Sequence, residues 1–118
     1  MEQEAMQFDV IIVGAGPAGL SAAIRLKQKS PELTVCILEK GAQVGAHLLS
    51  GAVLNPVALQ NLLPKHWESA PLNTPVTEDA FYFLNQSRAF KLPTPKPMRN
   101  HGCYIISLGQ LGQFLAEQ

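Results

Sequence analysis

Residues 10–19 read Val-Ile-Ile-Val-Gly-Ala-Gly-Pro-Ala-Gly, an apolar run that passes directly into a glycine-rich turn. The residues that follow, 20–29, suit a helix because their apolar side chains recur at helical spacing. In such a strand–turn–helix unit Gly14 permits the tight turn, and Gly16 lets the backbone approach a bound group. Gly19 lets the helix pack close to the strand. The stretch therefore predicts a buried strand over residues 8–13, a turn and a helix.

A second apolar run over residues 34–38 ends at Glu39, about twenty residues after Gly19, which completes a dinucleotide-binding fingerprint. The first turn of a helix offers free N–H groups and a partial positive charge to a pyrophosphate. Glu39 can accept hydrogen bonds from a ribose 2′-hydroxyl, which argues against NADP. We predict an α/β fold of Rossmann type, whose nucleotide-binding residues are Gly14, Gly16, Pro17, Ala18, Gly19 and Glu39.

Composition limits the remaining possibilities. The chain has 118 residues, 47% of them hydrophobic and 15% charged, which is typical of one small globular domain at most. Its net charge is zero and it has no basic block, so we expect no nucleic-acid partner. Cys36 and Cys103 cannot hold a metal or cluster alone, so no metal ligand is assigned. The acidic N-terminus, Met1 to Glu4, lacks a signal-peptide apolar region, which favours the cytoplasmic side of a bacterium.

Residues 41–64 contain no Asp, Glu, Lys or Arg. Polar and glycine residues interrupt the run, so it does not have the pattern of a membrane span. It contains one short helix signal, with Asn55 as N-cap, Pro56 in the first turn and an end before Pro64. Two interpretations stay open: the apolar residues pack against the domain, or the segment lies in a membrane interface with Trp67 at headgroup level.

The sequence of the second half of the chain predicts an insertion that does not belong to the parallel sheet. Residues 77–84 and 88–92 suit an antiparallel hairpin, and residues 92–97 form a proline-rich connector. A short strand over residues 104–106 follows, and Ser107 can cap a final helix. Only two parallel strands are visible, whereas a doubly wound half needs three. We therefore expect the N-terminal part of a longer protein, with its fold incomplete at the C-terminus.

Several stretches resemble a known family. Residues 9–27 look like the N-terminus of two-domain FAD flavoproteins. The blocks at residues 38–52, 70–79 and 100–109 are more specific and closely resemble the electron transfer flavoprotein–ubiquinone oxidoreductase family. The resemblance covers nearly all of residues 8–118.

The resemblance implies an FAD enzyme that takes electrons from reduced electron transfer flavoprotein and reduces ubiquinone. The family carries FAD and a 4Fe-4S cluster, whose cysteines lie in a part of the family's sequence that this chain does not contain. It sits on one face of a membrane without spanning it. This implies a peripheral location on the inner membrane, on the cytoplasmic side in a bacterium or on the matrix side in a mitochondrion.

The resemblance also implies roles for a second group of residues. Lys40 would flank the adenosine end, and the loop running toward the flavin would include Gly45, Ala46, His47, Ser50 and Gly51. We expect His47 to be a hydrogen-bonded structural residue, and we assign no catalytic residue because the redox chemistry belongs to the flavin. Membrane-contacting residues of the family fall within the stretch matching residues 45–67. Ser107 departs from the Arg of many related flavoproteins.

The expected organisation is one incomplete FAD-binding domain in three stretches. Residues 1–44 form the βαβ unit that binds ADP, residues 45–67 the apolar segment, and residues 68–118 the hairpin, connector, strand and start of a helix. Two alternatives for the function stay open. One is a related FAD-dependent lipid or isoprenoid reductase or monooxygenase, and the other is an inactive nucleotide-binding fragment.

Overall fold

The structure, a computed structural model, describes residues 4–118. Met1, Glu2 and Gln3 lie outside the described residues, and with them most of the acidic N-terminus. The described chain is elongated: its radius of gyration is 19.0 Å, against roughly 13 Å for a compact domain of about 100 residues.

The N-terminal unit is a parallel strand pair joined by one helix. Strand β1 (Val10–Val13) pairs with strand β2 (Val35–Leu38), and Val10 lies opposite Val35. Helix α1 (Pro17–Lys29) connects the two strands and begins at the predicted proline. This arrangement confirms the predicted Rossmann-type α/β class.

Both strands begin later than predicted, because Asp9 and Thr34 bond to each other through their side chains. The Asp9 N–H donates to Thr34 Oγ1 at 3.0 Å, and the Thr34 N–H donates to Asp9 Oδ2 at 2.8 Å. These bonds precede the first backbone bond of the ladder, from the Val10 N–H to Thr34 O at 3.1 Å, and they hold the pKa of Asp9 below its ordinary value.

A three-stranded antiparallel sheet follows, made of β3 (Ser50–Leu54), β4 (Thr74–Pro75) and β7 (Tyr104–Ser107). Strand β7 lies in the centre and pairs with β3 on one side and with β4 on the other. The sequence predicted β7 but neither of its partners. The register between β3 and β7 shifts between Ser50 and Ala52, where Gly51 has a φ of +79°.

Helix α2 (Val57–Leu62) occupies the predicted place after Asn55, whose Oδ1 accepts from the Val57 N–H at 3.1 Å. The helix begins one residue after Pro56 instead of at it. Two side chains of α1 bind the carbonyls that close it: Arg25 donates to Asn61 O and Gln28 to Leu62 O, both at 2.9 Å. These bonds fix α2 against α1.

The predicted hairpin is present but shorter. Strands β5 (Phe81–Leu84) and β6 (Ala89–Leu92) pair with each other, and within residues 4–118 no other helix or strand packs against them. The predicted strand over residues 77–80 is wrong, because Asp79 there accepts two bonds from Asn100 instead of joining a ladder. One face of the hairpin is apolar, made of the cross-strand pairs Phe81–Leu92 and Phe83–Phe90.

The core lies between the helices and the antiparallel sheet. Helix α3 (Leu108–Ala116) begins after Ser107, whose Oγ accepts from the Gln110 N–H at 3.3 Å and so confirms the predicted cap. The buried apolar side chains come from all three helices, β7 and two loops: Ala15, Leu20, Leu59, Leu62, Leu63, Ala70, Ile106, Leu111 and Leu115.

Several apolar residues of the uncharged segment pack against this core. Leu59, Leu62 and Leu63 are buried in it, and Trp67 is half-buried against it. The packing interpretation therefore applies to these residues, whereas Leu49, Val53 and Val57 remain exposed. Among the residues that the structure describes, no helix combines the length and apolarity that crossing a bilayer requires.

Candidate functional site

The glycine turn joins β1 to α1 and is shaped as its spacing predicts. Gly14 has a φ of +100°, which a residue with a Cβ rarely adopts, and its N–H donates to Leu38 O at 2.7 Å. A Cβ at Gly19 would collide with the carbonyl oxygen of Gly14 and would lie 3.1 Å from Ile12 Cγ2. Gly19 therefore permits the close approach of helix and strand.

The space beside the turn is open on its outer side. Apart from its immediate neighbours in the chain, a Cβ on Gly14 or on Gly16 would meet no atom of residues 4–118 within 4 Å. Gly16 is the N-cap of α1 in an extended conformation, and no described side chain caps this end of the helix. Pro17 has no N–H, and the N–H groups of Ala18 and Gly19 have no partner four residues back in the helix. The turn thus offers free donors and a partial positive charge to an open space.

Glu39 ties the second strand to this turn. Its Oε2 accepts from the Ala15 N–H at 2.9 Å and its Oε1 from the Gly41 N–H at 2.8 Å. These bonds, Gly41 first and Ala15 second, lower the pKa of the Glu39 carboxyl from its ordinary value. The carboxylate therefore stays ionised across the neutral range. It is exposed, and each oxygen keeps a lone pair for a further donor.

The loop after Glu39 carries the remaining predicted residues. Its exposed members are Lys40, Ala46, His47, Ser50 and Gly51. His47 lies beside Gly41 at the start of the same loop, since its Cε1 lies 3.6 Å from the position of a Cβ on Gly41. Within residues 4–118 the ring of His47 makes no hydrogen bond, and its hydrogen-bonded structural role stays a prediction. The exposed residues of the loop therefore follow Glu39 directly, and the contact of His47 with Gly41 joins the middle of the loop to its beginning.

Gly45 has a contact that sequence reasoning missed. Its φ is +85°, and a Cβ there would collide with the carbonyl oxygen of Gly109 in the first turn of α3. No local pattern signals this contact, because its partner is distant in the sequence.

These features fit the ADP half of a dinucleotide. A pyrophosphate needs free N–H donors and room beside a glycine backbone, which Gly14, Gly16 and the first turn of α1 provide. A ribose needs a carboxylate at the end of the second strand, and Glu39 stands there, ionised and accessible. From Glu4 to Gln118, no group of three or more His, Cys, Asp or Glu side chains suits a metal ion.

Comparison with known proteins gives a consistent picture. Residues 1–62 match the Thi4 family. The chain is 57% identical to the mitochondrial electron transfer flavoprotein-ubiquinone oxidoreductase of Dictyostelium discoideum, over 95% of this chain and 19% of that protein. It is 58% identical to the Pseudomonas aeruginosa protein of the same name, over 100% of this chain and 23% of the relative.

The mitochondrial protein of that name from Homo sapiens is 52% identical, over 100% of this chain and 20% of the relative. The chain thus spans about a fifth of the length of the curated relatives that it matches. The resemblance to electron transfer flavoprotein–ubiquinone oxidoreductases is confirmed, and the chain belongs to the Thi4 family.

Proposed function

We propose that this chain binds FAD and forms the ADP-binding part of a flavin oxidoreductase. The observation that carries the proposal is the bridge made by Glu39, which bonds the N–H groups of Ala15 and Gly41 beside an uncapped helix end. In this arrangement Gly14, Gly16, Pro17, Ala18 and Gly19 surround the pyrophosphate with backbone, and Glu39 accepts from the ribose.

The loop residues take the next part of the cofactor. Lys40 flanks the adenosine end, and the backbone near the flavin comes from Gly45, Ala46, His47, Ser50 and Gly51. Support comes from their position: the loop leaves the site at Glu39, and His47 lies beside Gly41. Small residues at exposed places let the backbone approach a bound group closely.

The whole reaction that we propose is electron transfer from reduced electron transfer flavoprotein to ubiquinone. Its support is the 52–58% identity to proteins that bear this name. Bound FAD supplies the redox chemistry, and the residues of this chain bind and orient it. The 4Fe-4S cluster of the proposed enzyme takes its ligands from outside this chain.

We also propose contact with a membrane surface by part of the segment over residues 45–67. Leu49, Val53 and Val57 are apolar and exposed, whereas most other large apolar residues of the segment are in the core or pack against it. The corresponding location is the surface of the inner membrane, on the cytoplasmic side of a bacterium or the matrix side of a mitochondrion. Three exposed apolar side chains without a basic face suit shallow, peripheral contact.

The binding experiment titrates the 118-residue chain with FAD, ADP and NAD by calorimetry. FAD and ADP are expected to bind, with FAD preferred over NAD. In Glu39→Gln one carboxylate oxygen becomes an NH₂ group, so one of the two bridging bonds is lost. Affinity for FAD and ADP should then fall roughly tenfold or more, as expected for loss of one charge-assisted hydrogen bond.

The control is Glu32→Gln, an exposed acid in the turn after α1, which should leave both affinities unchanged. The sign of the pH effect follows from the ionisation of Glu39, whose pKa is lowered in the folded chain: affinity is expected while the carboxylate is ionised and should be lost as the pH falls through the lowered value. Tight NAD binding without preference for FAD would favour a general nucleotide-binding module instead.

The reaction is tested in a polypeptide that carries this chain at the length of its relatives. With reduced electron transfer flavoprotein as donor, it should reduce a short-chain ubiquinone analogue and sediment with phospholipid vesicles. The Glu39→Gln variant should lose activity in proportion to lost FAD. A polypeptide that holds FAD yet reduces an isoprenoid lipid and no quinone would point to the related lipid reductases.

A further inference from the structure

The loop after Glu39 is held at a second place, against the first turn of α3. Here the backbones of Gly45 and Gly109 touch. A Cβ on Gly109 would lie 2.9 Å from the Gly45 carbonyl oxygen, and a Cβ on Gly45 would lie 2.9 Å from Gly109 Cα. Real Cβ atoms essentially never come this close, so neither position accepts a side chain without movement of the loop.

Three further contacts extend this crossing along the helix. Gly112 is buried one turn later, and a Cβ on it would lie 3.4 Å from Leu48 Cδ1 and 3.6 Å from Val44 Cγ1. The Leu108 N–H, which has no partner inside the helix, donates to Leu49 O at 3.1 Å. The loop over residues 44–49 is therefore seated on α3 through both backbone and side chains.

The contact between this loop and α3 is independent of the contacts at the glycine turn. Among the described residues, the Glu39 side chain bonds Ala15 and Gly41, and neither contact involves α3. The loop thus has one anchor at the turn, beside the proposed ADP half, and another at α3, just before Ser50 and Gly51. Altering the second anchor leaves the first in place.

The two helical glycines also need an explanation of their own. Glycine is a poorer helix former than alanine, because it loses more backbone freedom on folding. Gly109 and Gly112 nevertheless stand in the first half of α3, a helix of nine residues. The contact with Gly45 accounts for Gly109, because even a Cβ there would push the loop away. At Gly112 a Cβ alone would make ordinary van der Waals contact with Leu48 and Val44, and only a larger side chain would displace them.

We propose that Gly109 and Gly112 are positioning residues for the flavin half of the cofactor. They hold residues 45–51, which are the loop and the first two residues of β3, in place. The inference rests on the proposed FAD binding. It goes beyond that proposal by assigning a role to α3, a helix that, within residues 4–118, forms no hydrogen bond with the residues proposed for the ADP half.

The test compares FAD with ADP as ligands of the 118-residue chain. Gly109→Ala forces the loop away from α3, so affinity for FAD should fall about tenfold, the equivalent of roughly one lost hydrogen bond. Affinity for ADP should stay within about twofold, because the turn and Glu39 are untouched. Thermal unfolding is followed in parallel to relate both affinities to folding.

Gly112→Val is the second variant, because a Cβ there makes only ordinary van der Waals contact and the clash with Leu48 and Val44 comes from the Cγ atoms beyond it. It displaces side chains and not the backbone of Gly45, so it should weaken FAD selectively by a smaller factor than Gly109→Ala. The matched control is Gln113→Ala, an exposed position on the same helix, which should change neither affinity.

Equal weakening of FAD and ADP in both glycine variants would overturn the inference, because that pattern indicates a general loss of folding. Unchanged FAD affinity in both variants would overturn it as well. If the wild-type chain binds ADP and not FAD, the proposed function itself fails and the inference fails with it. Selective loss of FAD in either variant supports both.

Discussion

Two regions of the molecule are rich in apolar residues: the helical layer, which contains the core, and the β5–β6 hairpin. Their environments are opposite. Leu111 in α3 is 4% exposed, whereas Leu84 in the hairpin is 68% exposed. The helical layer gathers side chains from α1, α2, α3 and β7. In the described part of the chain, the hairpin has only its own two strands. Apolar content therefore does not predict burial by itself; a packing partner from another element is needed.

The two regions also differ in what holds them in place. Burial stabilises the helical layer, and Arg25 and Gln28 add bonds to the end of α2. A two-stranded hairpin is marginal alone in water. Polar contacts hold the base of the β5–β6 hairpin. Asn100 donates two hydrogen bonds to Asp79, and Lys91 Nζ lies 3.5 Å from Glu78 Oε1. The hairpin is thus expected to open locally at lower cost than the core.

The largest expected effect comes from the same substitution made in each region. Leu111→Ala should lower the free energy of unfolding by about 2–5 kcal/mol, because it removes a buried side chain and leaves a cavity. Leu84→Ala is the matched control and should change it by no more than about 0.5 kcal/mol, because the side chain is already in water. Urea unfolding followed by circular dichroism measures both.

A large loss in Leu84→Ala would contradict the comparison, since it would mean that the Leu84 side chain is covered in solution. In that case the oligomeric state, measured by sedimentation, would identify contact between two copies of the chain.

A smaller effect is expected at the base of the hairpin, and it depends on pH. Bonds from Asn100 hold the pKa of Asp79 below its ordinary value. The stabilisation is therefore fully present above the ordinary pKa of aspartate and is lost as the pH falls through the lowered value. Amide hydrogen exchange in β5 and β6 should speed up over that acidic window before the core does.

The matched variant is Asn100→Ala, which keeps the backbone bond and removes the side-chain bond to Asp79. It should raise hairpin exchange at neutral pH and flatten the pH dependence. Exchange that accelerates equally in α1 and in the hairpin would show that the two regions open together, and the distinction between them would then fail.

Local signals predicted the first region well. Pro17 begins α1, Ser107 caps α3, and the glycine spacing gives the turn, because each of these features depends on neighbours in the chain. Asn55 and the residues after it likewise predicted α2 to within one residue.

The features that escaped prediction depend on distant partners. Strand β3 begins with Ser50 and Gly51, where a positive φ and a register shift replace regular alternation, and its partner is β7. The contact of Gly45 with Gly109 has no local pattern at all. Just before the hairpin, Asp79 accepts a hydrogen bond from the Asn100 N–H. The composition of residues 77–80 nevertheless favours a strand. Such choices are made by tertiary contacts, which local propensity does not describe.

The central claim is that FAD binds across the glycine turn and the loop after Glu39. A ¹⁵N–¹H NMR titration of the 118-residue chain with FAD tests it most directly. We expect shifts in the amides of Ala18, Gly19 and residues 45–51, with the hairpin amides of residues 81–92 unchanged. Shifts confined to the hairpin, or no shift at saturating FAD, would contradict the claim.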